Sequence, residues 1–137
     1  MAGETFVDTS GFYAALVKKD DRHDEAAEYL RRARDAKASF VTTDYVLDET
    51  VTLLKARGLA GLTRGIFDIV EASRVCRLRW TDAELFWTSR AYFLRHLDQS
   101  WSFTDCVSFC VMRELHLMQA LTKDDHFREA GYEPLLA

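Results

Sequence analysis

Four acidic residues stand where an α/β chain would keep its chemistry. Asp8 ends the β-prone run Glu4-Thr5-Phe6-Val7, Glu49 lies on a later helix, Asp105 falls in the first turn of another, and Asp124 follows the apolar run Leu117 to Thr122. In an open parallel α/β sheet, active groups gather outside the carboxyl ends of the strands, where the chain turns into a helix. Several carboxylates crowded together cannot all ionise without cations, and oxygen-only ligands select hard ions such as Mg²⁺ or Mn²⁺. A divalent metal site follows if the four converge.

Two of the acids, Glu49 and Asp105, also have an ordinary explanation. Val46, Glu49, Thr50 and Leu53 recur at i, i+3, i+4 and i+7, so Glu49 is embedded in an apolar stripe, while Asp48 is rotated about 100° away from it. A buried unpaired carboxylate is costly, so Glu49 is either a metal ligand or a boundary residue reaching solvent or an arginine. Asp105 suits a first helical turn simply because the helix N-terminus favours negative charge. Asp124 has Asp125 beside it, which leaves open which of the two is the fourth acid. His23 is expected to close or pack against a helix start, and His126 and Phe127 to pack the loop after Asp124.

The elements that must position these groups follow from periodicity and punctuation. Ser10 to Val17 reads as a short helix opened by an N-cap hydroxyl, and Ala26, Tyr29, Leu30 and Ala33 mark an amphipathic helix after the charged connection Lys18 to Arg22. Ala38 to Thr43 is the second strand. A helix follows from about Asp44 to Arg57, stopped by Gly58. Leu59 to Ser73 is a further helix, Val75 to Trp80 a third strand with one face exposed, and Thr81 the N-cap of a helix from Asp82 to about His96. After the polar loop from Gln99, a nearly all-apolar helix begins around Asp105. Leu117 to Thr122 is a short buried strand ended by Lys123 to Phe127, and Tyr132 to Leu136 a last edge strand that suits Pro134. This order predicts one domain over residues 1–137, a three-layer α/β/α sandwich around a mostly parallel sheet.

Composition sets limits. The 137 residues, 48% hydrophobic, can bury one sizeable core, and 6 glycines and 1 proline exclude collagen-like and low-complexity classes. Met1-Ala2-Gly3-Glu4 lacks a signal peptide's basic and apolar regions, and no apolar run approaches the roughly 18 residues of a membrane span, so a cytoplasmic protein without membrane association is expected. Cys76, Cys106 and Cys110 read as buried hydrophobes rather than disulfide or zinc partners. A net charge of −4 argues against a broad basic surface, although cations at the acids would neutralise the site locally and leave lysines and arginines as a phosphate-binding rim. Lys18, Lys19, Arg22, Lys55, Arg57 and Lys123 are the residues available for it.

Taken together, Phe6-Val7-Asp8-Thr9-Ser10, Val46-Leu47-Asp48-Glu49-Thr50, Ser102-Phe103-Thr104-Asp105-Cys106 and Leu121-Thr122-Lys123-Asp124-Asp125-His126-Phe127 resemble, in order and spacing, the motifs of PIN-domain nucleases. In size and motif content the chain looks most like the VapC-type toxins of prokaryotic toxin–antitoxin pairs. The resemblance implies a PIN-like fold and metal-dependent hydrolysis of RNA. It makes Asp8, Glu49, Asp105 and Asp124 the catalytic metal ligands for Mg²⁺ or Mn²⁺, with Thr9 and Thr104 as hydroxyls orienting ligands or water. Two metals about 3.5 to 4 Å apart would activate a water and steady the leaving oxygen. It also implies a small antitoxin docking over the acidic mouth with an arginine, and a homodimer, with exposed apolar surface on the early helices. The other readings are a housekeeping PIN nuclease of RNA processing and a PIN-fold binding module that has lost catalysis. Receiver and haloacid-dehalogenase domains also place an Asp after the first strand, but Ser10 stands where the latter needs a second Asp, and the receiver's early acidic pair is missing.

Overall fold

The computed structural model describes residues 4–36, 38–72 and 75–137. Ser73, the expected end of the 59–73 helix, lies outside the described residues. Strands β1 (Thr5–Val7), β2 (Phe40–Thr43), β3 (Cys76–Arg79), β4 (Gln119–Leu121) and β5 (Glu133–Pro134) form one sheet in the order β3-β2-β1-β4-β5. Every pairing among them is parallel. The α/β architecture is therefore the expected one, with a sheet wholly rather than mostly parallel. β1 lies at its centre with all three residues buried, which is why its sequence reads as a continuous apolar run without alternation.

The helices are α1 (Thr9–Leu16), α2 (His23–Asp35), α3 (Asp44–Ala56), α4 (Thr63–Ala72), α5 (Ala83–Arg95), α6 (Phe103–Glu114) and α7 (Asp125–Glu129). β1 pairs with β2 on one side and with β4 on the other, so strand order reverses at β1. Such a switch point opens a crevice outside the carboxyl ends of the strands. Asp8 follows β1 there, and Thr122 to Asp124 follow β4.

Several local expectations change. Helix α1 starts at Thr9 with Asp8 in the N-cap position and no side-chain cap, in place of a helix from Ser10 opened by a hydroxyl. The 59–73 stretch is divided, a 3-10 turn over Ala60–Leu62 preceding α4. Asp82, not Thr81, caps α5, accepting from the Leu85 N–H at 2.8 Å. Thr81 instead gives its N–H (2.9 Å) and hydroxyl (2.7 Å) to Asp44 Oδ1, tying the start of α5 to the start of α3. The expected turn after β4 contains α7, a helix too short for periodicity to reveal.

His23 opens α2 and places Nδ1 2.8 Å from the Ala14 carbonyl oxygen, the packing role expected of it. The cysteines are free and buried, and burial pushes the Cys76 thiol up to about 11 and the Cys106 thiol to about 12. Among the described residues the large exposed hydrophobics are Phe67, Trp80, Trp87, Leu94, Leu97 and Met118. They lie on α4, α5 and the connections, not on the early helices α1 and α2 where exposed apolar surface was expected.

Candidate metal centre at the carboxyl edge of the sheet

Asp8 is held where β1 hands over to α1. Its N–H donates to the Leu121 carbonyl oxygen at 3.2 Å, which carries the β1–β4 pairing one step beyond the strands. Gly11 permits this closeness, since a Cβ there would lie 2.1 Å from the same Leu121 oxygen. The carboxylate is 4% exposed, with Oδ2 accepting from the Thr122 hydroxyl at 2.9 Å and Oδ1 buried with no hydrogen-bond partner.

Thr122 joins three segments. Its hydroxyl gives its single proton to Asp8 and accepts from the Asp124 N–H at 3.0 Å. Ser10 Oγ lies 3.0 Å from Thr122 Oγ1, so Ser10 must be the donor of that pair, and it accepts in turn from the Lys123 N–H at 2.8 Å. Both hydroxyls lie within the motif stretches, but no role is assigned to them from the sequence. They act across 112 and 114 positions, so no local pattern signals them.

Asp105 occupies the third position of α6 and forms a reciprocal cap with Ser102: the Ser102 hydroxyl accepts from the Asp105 N–H at 3.0 Å, and Asp105 Oδ2 accepts from the Ser102 N–H at 3.1 Å. The residue is 6% exposed. Asp124 caps α7, Oδ1 accepting from the His126 N–H at 2.9 Å. His126 then turns back on the acids, with Nδ1 3.0 Å from Asp105 Oδ2 and 3.4 Å from Asp124 Oδ2. It was expected to pack the loop. Phe127 does that, fully buried against Phe6 and Phe109 at ring separations of 6.3 and 5.0 Å.

Asp105, Asp124 and His126 bring ligand atoms within 4.8 Å of one another. Asp8 and Glu49 lie outside that tight group but within electrostatic reach. Burial, followed by the Asp105 charge and, more weakly, that of Glu49, pushes Asp8 up to about 7, against the lowering effect of the Thr9 N–H and the Thr122 hydroxyl. Burial also raises Asp105, opposed by its bonds to Ser102 and His126. Burial alone would lower the His126 imidazole, but its hydrogen bond to Asp105 and the Asp124 and Asp105 charges raise it. Glu49 is half-buried and Asp48 exposed, in keeping with their phases on α3.

Thr9 is placed differently from the expectation. Its hydroxyl donates to the Val46 carbonyl oxygen at 3.5 Å and accepts from Thr50 at 3.2 Å, so it binds α1 to α3 rather than orienting ligands. Thr104 is half-buried in the first turn of α6, with its carbonyl oxygen accepting from Ser108 at 3.1 Å. Of the basic residues, Lys123 is paired with Asp20 at 2.7 Å and Asp21 at 2.5 Å, Arg22 with Glu25 at 2.7 Å, and Arg57 lies over the Tyr13 ring. Lys18, Lys19 and Lys55 are exposed.

The PIN domain family model matches residues 5–132. The chain belongs to the PIN-domain family. This PIN domain is 33% identical over 128 residues to the 23S rRNA-specific endonuclease VapC20 of Mycobacterium tuberculosis, covering 93% of this chain and 94% of that protein. It is 30% identical to a VapC ribonuclease of Archaeoglobus fulgidus over 123 residues, 88% of this chain and 77% of the relative. The crystal structure of Mycobacterium tuberculosis VapC20, described as a sarcin-ricin loop cleaving toxin, superposes with a TM-score of 0.81 at 32% identity, covering 93% of this chain and 95% of the other.

A divalent cation fits the residues present. Asp8 Oδ1 is buried without a hydrogen-bond partner, and burial holds the Asp8 and Asp105 carboxyls above their ordinary range, so both favour a cation that would let them ionise.

Proposed function

We propose that this PIN domain is a metal-dependent endoribonuclease, the toxin of a toxin–antitoxin pair, acting in the cytoplasm as a homodimer. Asp8, Glu49, Asp105 and Asp124 would hold Mg²⁺ or Mn²⁺. The observation that carries this is the nearly complete burial of Asp8 with an unsatisfied oxygen, beside Asp105 at the switch point of the sheet. When bound, such ions lower the pKa of a water and neutralise charge developing on the phosphate. The chain itself supplies position: Thr122 fixes the Asp8 carboxyl, Ser102 and His126 fix Asp105, and the α7 cap fixes Asp124. No side chain needs to act as nucleophile. A water oxygen bonds to phosphorus as the P–O3′ bond breaks, O3′ takes up a proton from solvent, and the fragments carry 5′-phosphate and 3′-hydroxyl ends.

The named substrate of the VapC20 relative makes large-subunit ribosomal RNA the first one to try. Among the described residues no helix is long and apolar enough to cross a membrane. An antitoxin arginine reaching the acids would find a site matched to a guanidinium. The test is to incubate the purified chain with 23S rRNA, tRNA and mRNA in Mg²⁺ or Mn²⁺ and map the fragment ends. Discrete internal cuts with 5′-phosphates support the reading, whereas intact RNA in every metal condition, or ends carrying 2′,3′-cyclic phosphate, contradicts it.

A further inference from the structure

His126 holds Asp105 through one hydrogen bond, and its ring is restrained from several sides. The buried Phe127 ring anchors α7, Asp124 Oδ1 takes the His126 N–H at 2.9 Å, and Ser100 Oγ stands 3.2 Å from Nε2. These restraints aim Nδ1 between Asp105 Oδ2 at 3.0 Å and Asp124 Oδ2 at 3.4 Å. Two neighbouring ligands on one octahedral ion, each bonded at about 2.1 Å, stand about 3.0 Å apart. Nδ1 stands near that spacing from an oxygen of each acid, and the three ligand atoms lie within 4.8 Å of one another.

We propose that His126 Nδ1 is a nitrogen ligand of the metal held by Asp105 and Asp124, with Ser100 as the residue that selects its tautomer. The proposal rests on the metal-dependent reading and goes beyond its all-carboxylate ligand set. A metal-bound histidine commonly donates its other ring N–H to an outer partner, which frees the ligating nitrogen's lone pair. Ser100 Oγ is in place to accept from Nε2. Of the other histidines, His23 and His96 bond the Ala14 and Tyr92 carbonyl oxygens at 2.8 Å each, and His116 is exposed.

A nitrogen donor changes what the site prefers. Mg²⁺ favours an all-oxygen shell and keeps its waters, whereas transition ions accept imidazole readily. His126 therefore biases the site towards Mn²⁺ over Mg²⁺.

Pulsed electron paramagnetic resonance of Mn²⁺ bound to the whole chain tests this directly, because a ligated imidazole imprints ¹⁴N modulation on the manganese signal. The wild type should show it and His126→Ala should lose it. Mn²⁺ affinity should weaken about tenfold or more in His126→Ala, and Mg²⁺ affinity, measured by competition, by about threefold or less. Ser100→Ala should keep the modulation while weakening Mn²⁺ binding less than the histidine change. Mn²⁺ bound to a wild type that cleaves RNA but shows no nitrogen modulation overturns the ligand assignment alone. Modulation persisting in His126→Ala overturns it too. A wild type that binds no Mn²⁺ removes this proposal together with the metal-dependent function.

Discussion

Thr122 Oγ1 donates to Asp8 Oδ2 at 2.9 Å across 114 residues while accepting the Asp124 N–H at 3.0 Å, so one hydroxyl sets both an acid and the turn carrying another. Thr122→Val keeps the shape and removes the hydrogen bonds. Metal affinity should fall about 10- to 100-fold, as for other outer partners of metal ligands. Calorimetric titration with Mn²⁺ measures it, and an unchanged affinity would sever Thr122 from the site.

Asp8 makes the metal-free fold sensitive to pH. Its folded pKa of about 7 lies above the ordinary 3.8, so between those values the native state holds a proton that the unfolded chain has lost. Stability from this group is complete below about pH 4 and is lost as pH rises, up to about 4 kcal/mol by the time pH passes 7. Raised Asp105 and His126 act in the same direction. The metal-free protein should melt at lower temperature at pH 8 than at pH 5.5, Mn²⁺ should recover more stability at the higher pH, and Asp8→Asn should flatten the profile. A metal-free melting temperature that rises from pH 5.5 to pH 8 would contradict this.

At Gly11, α1 lies against the backbone of β4. The missing Cβ of Gly11 would meet Leu121 backbone oxygen at 2.1 Å, and backbone in a central pairing cannot step aside as a side chain can. Gly11→Ala should destabilise the protein by about 2 kcal/mol or more and displace Asp8, read out by thermal melting and metal titration together. A melting temperature within a degree or two of wild type would show that α1 and β4 can separate.

Thr9 yields the opposite pattern from Thr122. Because its hydroxyl serves Val46 and Thr50, Thr9→Val should cost about 1 kcal/mol of stability and leave metal affinity unchanged. A variant with wild-type stability but weakened Mn²⁺ binding would return Thr9 to the site.

What the sequence discloses follows the range of each interaction. The strands and long helices were legible because apolar periodicity is local, as at β1 and along the Glu49 face of α3. The burial of Asp8 and Asp105 follows from where strand and helix meet. The direction of the His126 ring is not legible because α7 has five residues, too few to show which way a ring points, and it depends on Phe127 reaching Phe6 and Phe109. The Ser10–Thr122–Asp8 chain was invisible because it exists only after β4 lies beside β1. The direction of the Thr9 hydroxyl is not legible because a hydroxyl at a helix start can face either the ligands or the neighbouring helix, and only the packing of α1 on α3 decides.

RNA hydrolysis should require a metal held by Asp105. Asp105→Asn preserves size and most of the cap with Ser102 while removing the charge. Cleavage of 23S rRNA by the wild type and by this variant, the latter shown to fold, should be compared across Mn²⁺ concentrations and with chelator. The prediction is cleavage that depends on metal, stops with chelator, and falls about 100-fold or more in the variant. Cleavage that survives either chelator or Asp105→Asn would contradict it.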